Sequence, residues 1–130
     1  MGNISKNFSW QEFFTAQDIQ EAQSRGIDLV VLLDMRMVNK LQMIRNHFGN
    51  PVTITSGFRS FEHNQKIGGA KYSQHQYGRA VDFVVKDIEP HDVQTWIQEQ
   101  GWTGGLGLGK NFTHYDIAER GKNLVVFNYS

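Results

Sequence analysis

A carboxylate inside a β-branched and aromatic run constrains this chain more than any other feature of its sequence. Asp82 opens the run D-F-V-V, and residues 79–85 have the composition of a buried strand. Alternation along that strand places Ala80, Asp82 and Val84 on one face. Burying a carboxylate is costly unless a cation or several hydrogen-bond donors meet it. We therefore expect such a partner beside Asp82, and a divalent metal ion is one candidate.

Two histidines are the natural further ligands. His75 lies in S-Q-H-Q-Y-G-R-A-V-D (73–82), and His114 lies in F-T-H-Y-D (112–116), where a strand would place His114 and Asp116 on the same face. The chain has no cysteine, so histidine and carboxylate would have to hold any metal. Two imidazoles and one carboxylate leave a coordination position for water, which is typical of catalytic zinc. The residues alone also fit a surface histidine in a polar loop and an aspartate at a strand edge.

Length and charge limit the other classes of function. The chain has 130 residues with 13 basic and 13 acidic side chains, and we interpret residues 1–130 as a single domain and expect a monomer. The balanced charge argues against a nucleic-acid partner. The N-terminus lacks the apolar core of a signal peptide, and no segment approaches a membrane span. We therefore expect synthesis in the cytoplasm and no membrane insertion.

Apolar periodicity, caps and glycines predict an α+β fold, a small antiparallel β-sheet with flanking helices. Residues 15–28 are polar, with Gly26 as a stop, and are interpreted as a loop that could include a helical turn. The glycines of G-G-L-G-L-G (104–109) lack the spacing of a phosphate loop and indicate a close backbone approach to a site or to a strand. The expected helices are a short one after Ser9, one over Asp34–Phe48 and one from Pro90 to Gly101; the expected strands are 52–55, 79–85, 112–117 and 124–127.

Five motifs in order give the chain a family resemblance. They are I-T-S-G-F-R-S at 54–60, Asn64, G-G-A at 68–70, S-x-H-x-x-G-x-A-x-D from Ser73 to Asp82, and H-x-D at His114 to Asp116. With these motifs the chain resembles the zinc D-alanyl-D-alanine carboxypeptidase family of bacterial cell-wall peptidases. That family shares its fold with phage endolysin peptidases and the hedgehog signalling domain.

The resemblance implies that His75, Asp82 and His114 bind one zinc ion. It also implies that Arg59 faces the substrate, where its guanidinium could grip a carbonyl or terminal carboxylate and stabilise the developing oxyanion. Arg59 would therefore serve both binding and catalysis. Ser73 flanks the metal segment and is a candidate for shaping the substrate cleft, with loop packing as its alternative role.

The general base departs from the family pattern. Several relatives have a glutamate three residues before the second histidine, where this chain has Asn111, which cannot act as a base. Others have an extra histidine just before the ligand, where Phe112 and Thr113 stand here. Asp116 is the nearest candidate base, and its alternative role is to orient the imidazole of His114. Glu62 and Glu119 are weaker candidate bases, and either side chain could equally be solvated. The sequence leaves both roles of Asp116 open.

The resemblance implies a zinc peptidase that cuts peptidoglycan stem peptides or their cross-links, as a D,D-carboxypeptidase or an endopeptidase acting at the bacterial cell wall. A lysin or virion component encoded by a phage or prophage is compatible with this interpretation. The alternative is a non-catalytic module of the same fold that binds metal and serves in wall binding or in a larger assembly.

Overall fold

A computed structural model describes residues 2–57, 79–119 and 121–129 of the chain. Within these ranges the helices are α1 (Ala16–Arg25), α2 (Met35–Phe48) and α3 (Pro90–Gln98), with two short 3-10 helices at Trp10–Phe13 and Leu29–Leu32. The strands are β1 (Val52–Ser56), β2 (Ala80–Val85), β3 (Gly105–Leu108), β4 (Thr113–Asp116) and β5 (Val125–Asn128). This arrangement confirms the predicted α+β class. Across the described ranges, no helix combines the length and the apolar character needed to cross a membrane.

The five strands form one sheet in the order β1-β2-β4-β3-β5. Neighbouring strands are antiparallel except for the last pair, because β5 runs parallel to β3. The prediction of a small antiparallel sheet is therefore confirmed apart from that pair. Backbone hydrogen bonds continue past both ends of the β3–β5 pair, from Val125 N to Gly104 O at 3.0 Å and from Tyr129 N to Leu108 O at 3.2 Å. The chain after β4 thus belongs to the sheet.

Helix α1 corrects the prediction of a loop over residues 15–28. The hydroxyl of Thr15 accepts a hydrogen bond from Asp18 N at 3.1 Å, which caps the helix, and Gly26 ends it in the left-handed conformation with φ 66°. Ala22 is the buried residue of this helix. The polar sequence carried too weak an apolar pattern to predict a helix, although both of its caps were present.

The helices cover the face of the sheet that carries the large apolar side chains. Helix α2 packs on β2, and α3 packs on β2, β3 and β4. On β2 the predicted alternation is confirmed from Val81 onward, since Val81, Phe83 and Val85 are buried while Asp82 and Val84 are only partly covered. Ala80, at the start of the strand, is buried as well. Each fully buried side chain of this size stabilises the fold by about 1.5–3 kcal/mol. The fully buried core residues include Met37, Val38, Leu41, Ile44, Phe83, Ile97, Leu106 and Tyr115.

Strand β3 adds a strand within residues 104–109, where none was predicted. Glycine is depleted in strands because it has no side chain to pack. Here β3 has a paired strand on each side, and Leu106 is buried in the core. Gly105 and Gly107 alternate with the leucines, so β3 presents no side chains on the opposite face.

Candidate metal centre

Neighbouring strands place Asp82, His114 and Gly107 in one row across the sheet. Asp82 of β2 lies opposite His114 of β4, and Gly107 of β3 lies on the other side of His114. Residues that lie directly opposite each other in neighbouring strands point to the same face. Because Phe83 and Tyr115 enter the core, Asp82 and His114 lie on the other face. Two candidate ligands that are 32 positions apart in the sequence thus become neighbours.

Both ring nitrogens of His114 contact a carboxylate. Nδ1 lies 2.9 Å from Asp82 Oδ1, and Nε2 lies 2.8 Å from Asp116 Oδ2. The second oxygen of Asp116 accepts a hydrogen bond from Ala118 N at 3.2 Å. The side chains of His114, Asp82 and Asp116 are 6%, 17% and 0% exposed. The shared face predicted for His114 and Asp116 is therefore observed, and the imidazole lies between two largely buried carboxylates.

Opposing effects set the charge of His114. Burial by itself would lower the pKa of the imidazole, but hydrogen bonds and charge from Asp116 and Asp82 outweigh burial and raise that pKa above its ordinary value. The ring therefore lies in a position that favours positive charge. A metal ion bound at Nδ1 would also place positive charge between the two carboxylates, since it would replace the proton of that nitrogen with a cation.

The donor atoms fit zinc. Carboxylate oxygen and imidazole nitrogen are both zinc ligands at about 2.0–2.2 Å, so two ligands of one tetrahedral ion lie about 3.3 Å apart. Asp82 Oδ1 and His114 Nδ1 are 2.9 Å apart and would need to separate by only a few tenths of an ångström. With a metal ion bound at Nδ1, the proton of Nε2 would be held by its hydrogen bond to Asp116, since an ionised carboxylate only accepts.

Three of the predicted site residues lie outside the described residues: His75, the third proposed ligand, and Arg59 and Ser73, the proposed substrate contacts. Within residues 2–57, 79–119 and 121–129, no group of three or more His, Cys, Asp or Glu side chains is arranged to hold a metal ion. The described part of the chain thus brings together two of the three proposed ligands, Asp82 and His114, with Asp116 behind the imidazole.

The structure adds Gln94 to the residues around the site. This side chain of α3 is 5% exposed, and its amide Nε2 donates to the carbonyls of Gly109 and Phe112 at 3.1 and 3.2 Å. It also lies 3.3 Å from the hydroxyl of Thr113, the residue before His114. Gln94 therefore ties the β3–β4 connection to the helix layer. Nothing in the local sequence distinguishes it from a solvated glutamine, because its partners are at least 15 positions away.

Two aromatic residues of β5 and its end were also assigned no role from the sequence. The ring centroids of Phe127 and Tyr129 lie 5.5 and 5.6 Å from that of His114. Their sequence shows only a short apolar run. The parallel pairing of β5 with β3 is what brings them to the site, and the sequence gives no local indication of that pairing.

An α+β fold thus pairs a carboxylate and an imidazole on adjacent strands, with a second carboxylate on the other nitrogen of the imidazole, a contact that often orients histidines that bind metal. Residues 6–116 match the Peptidase M15 family, and the chain belongs to that family. The predicted family is thereby confirmed. Over 44 residues the chain is 48% identical to the zinc D-Ala-D-Ala carboxypeptidase of Streptomyces albus G. That match covers 33% of this chain and 17% of the Streptomyces protein.

Proposed function

We propose that the protein is a zinc-dependent peptidase that hydrolyses amide bonds in peptidoglycan stem peptides or their cross-links. The observation that carries this proposal is the contact between Asp82 and His114 at 2.9 Å, in a chain of the Peptidase M15 family. The similarity to a zinc D-Ala-D-Ala carboxypeptidase supports the substrate class. A D,D-carboxypeptidase and an endopeptidase are both compatible with this site. Action at the cell wall, by a protein of phage or bacterial origin, belongs to the same proposal.

In this proposal His75, Asp82 and His114 hold the metal. Zinc bound there would supply Lewis-acid chemistry, polarising an amide carbonyl and lowering the pKa of a water molecule toward neutrality. Arg59 would bind a carbonyl or terminal carboxylate of the substrate and stabilise negative charge on the reacting oxygen. Ser73 would line the substrate cleft beside His75.

The geometry favours the orienting role for Asp116 over the role of general base. Its Oδ2 contacts Nε2 of His114, whereas Asp82 contacts Nδ1. Asp116 and the proposed ligand Asp82 therefore lie at different nitrogens of the imidazole. Both of its oxygens accept hydrogen bonds, and the side chain has no solvent exposure. A base must reach the water whose proton it takes. We therefore assign Asp116 to positioning His114 as a metal ligand.

One observation favours a second candidate, a non-catalytic metal-binding module that binds the wall or serves a structural role in an assembly. Asn111 occupies the position of the glutamate in the E-x-x-H relatives, and it is exposed and carries no acid–base group. Asp116 contacts the ring nitrogen that faces away from Asp82, so it is poorly placed to take a proton from water beside Nδ1.

Muropeptide digestion separates the two candidates. Purified muropeptides would be incubated with zinc-loaded protein, with His114→Ala and with His91→Ala, a control that removes an exposed histidine of α3. The peptidase predicts released D-alanine or new amino termini with wild type and with His91→Ala, and none with His114→Ala. Mass spectrometry of the products would identify the bond that is cut. Wild type that binds zinc stoichiometrically but releases no product would exclude the peptidase and favour the module.

A further inference from the structure

Strand β5 brings two aromatic rings against the imidazole of His114. Gly107 of β3 lies beside His114 on one side and beside Phe127 of β5 on the other, so all three belong to the same row across the sheet. The rings of Phe127 and Tyr129 are tilted by 59° and 49° relative to the imidazole, at centroid distances of 5.5 and 5.6 Å. The two aromatic rings also contact each other at 5.6 Å. All these distances are typical of favourable aromatic contacts.

Gly107 makes this approach possible. A Cβ atom at this position would overlap the ring of Tyr129 and lie 2.8 Å from Cβ of His114. A side chain at Gly107 would therefore occupy the space through which the rings of β5 reach His114. The glycine that interrupts the strand pattern of β3 thus has a steric reason beside the metal centre.

The aromatic rings also contribute to the burial of His114. The imidazole lies on the face of the sheet opposite the core, yet it is only 6% exposed. Asp82 and Asp116 contact its two nitrogens, and Phe127 and Tyr129 pack against the ring itself. Tyr129 contacts the imidazole with its ring and is itself 41% exposed, so part of this side chain faces solvent.

We propose that Phe127 and Tyr129 are positioning residues for His114, which hold the imidazole in the orientation that binds zinc and exclude water from it. This proposal rests on the metal site of the proposed function. It adds to that site a part of the chain beyond the family match, which ends at residue 116. The carboxylates fix the ring through its nitrogens, and the aromatic residues limit the rotation that would separate Nδ1 from Asp82.

The expected effect is on metal affinity. Loss of a residue that orients a zinc ligand weakens metal binding by about 10- to 100-fold, and we expect the loss of ring packing against His114 to lie at the lower end, about tenfold. Tyr129→Phe keeps the ring and should change the Kd for zinc by less than about twofold, because the contact with His114 is made by the ring.

The test measures the Kd for zinc by competition with a chromophoric chelator, for wild type, Tyr129→Ala, Tyr129→Phe and Phe127→Ala. Val126→Ala is the matched control, since Val126 lies on the same strand, is 42% exposed and alternates to the other face. We expect both ring deletions to weaken zinc binding about tenfold and the other two variants to match wild type. If Tyr129→Ala does not fold, Tyr129→Leu keeps the apolar bulk without the ring and gives the same comparison.

The structural readout is the nitrogen-15 NMR spectrum of the His114 imidazole in zinc-loaded protein. Wild type and Tyr129→Phe should show one fixed tautomer with Nδ1 bound to metal, and Tyr129→Ala should show exchange broadening. Equal Kd values for all variants would overturn the proposal, and so would equal weakening by Val126→Ala, because that would indicate a general loosening of β5. Wild type that takes up no zinc would overturn it together with the metal site. If the variants show the expected order of Kd values for zinc but wild type cleaves no muropeptide, the positioning role of Phe127 and Tyr129 is supported and the peptidase is excluded.

Discussion

The substitution Asp116→Asn tests the arrangement behind the imidazole most directly, because it removes the charge of a fully buried carboxylate and keeps its size. Among its partners in the described part of the chain, the carboxylate accepts hydrogen bonds from His114 Nε2 at 2.8 Å and from Ala118 N at 3.2 Å. An asparagine side chain has one acceptor oxygen and one donor nitrogen, so it can satisfy only one of these donors. If its oxygen faces His114, its amide N–H meets the N–H of Ala118. If it flips, its amide N–H meets Nε2 and favours the proton on Nδ1, where zinc would bind.

The first orientation leaves a partly buried donor, Ala118 N, opposed by another donor, and the second places the imidazole proton on the nitrogen that would bind zinc. An unsatisfied buried polar group costs about 1–3 kcal/mol, which corresponds to roughly 5- to 150-fold in an equilibrium constant. Outer-shell substitutions at zinc sites change metal affinity by about 10- to 100-fold, which lies within that range. We therefore expect Asp116→Asn to weaken the Kd for zinc by about 10- to 100-fold, and kcat at saturating zinc to fall by less than about tenfold.

The two roles considered for Asp116 predict different outcomes. A general base contributes about 10²- to 10⁴-fold to kcat and does not hold the metal. The assays are chelator competition for zinc and muropeptide cleavage at saturating zinc, with Asp92→Asn as a control at an exposed aspartate in the first turn of α3. A zinc Kd within about twofold of wild type, together with kcat reduced by about 100-fold or more, would refute the orienting role and identify Asp116 as the base.

Two further predictions concern the scaffold. Gln94→Ala should lower the free energy of unfolding by about 1–3 kcal/mol, because it removes the side chain that donates to the carbonyls of Gly109 and Phe112 in the β3–β4 connection. Urea unfolding would measure this loss, with Gln98→Ala as the control at an exposed glutamine. Equal losses for both variants would contradict the prediction. Asp34→Ala should cost about 1 kcal/mol at neutral pH, because Asp34 caps α2 through Arg36 N at 3.0 Å. The side-chain hydrogen bond from Arg36, partly opposed by burial, holds the pKa of Asp34 below its ordinary value of 3.8. The stabilisation from this cap is therefore complete well above pH 3.8 and is lost as the pH falls through the lowered pKa. The difference in free energy of unfolding between wild type and Asp34→Ala should shrink in acid. An unchanged difference at a pH of about 2 would contradict the capping role of Asp34.

Local rules predicted those parts of the fold whose information lies within a few residues. Apolar residues at steps of three and four in α2, with Gly49 after it, were sufficient because helix contacts and caps are local. The same rules were insufficient for α1 and β3. Helix α1 buries little apolar surface, so its ends are set by its caps and not by an apolar pattern. Strand β3 contains glycines, which are unfavourable in a strand unless neighbouring strands pair with it on both sides.

The candidate site likewise has features that follow from local sequence and features that depend on tertiary structure. By itself, the sequence determined that His114 and Asp116 share a face, because the period of a strand is two, and that Asp82 needs a polar or charged partner, because it lies in an apolar strand. Only the tertiary structure decided that this partner includes His114, since the register of β2 against β4 sets that pair across 32 positions. It also decided that Gln94, Phe127 and Tyr129 surround the site. Their contacts come from helix packing and from the parallel β3–β5 pair, and such long-range contacts leave no periodic trace in the sequence near the residues that make them.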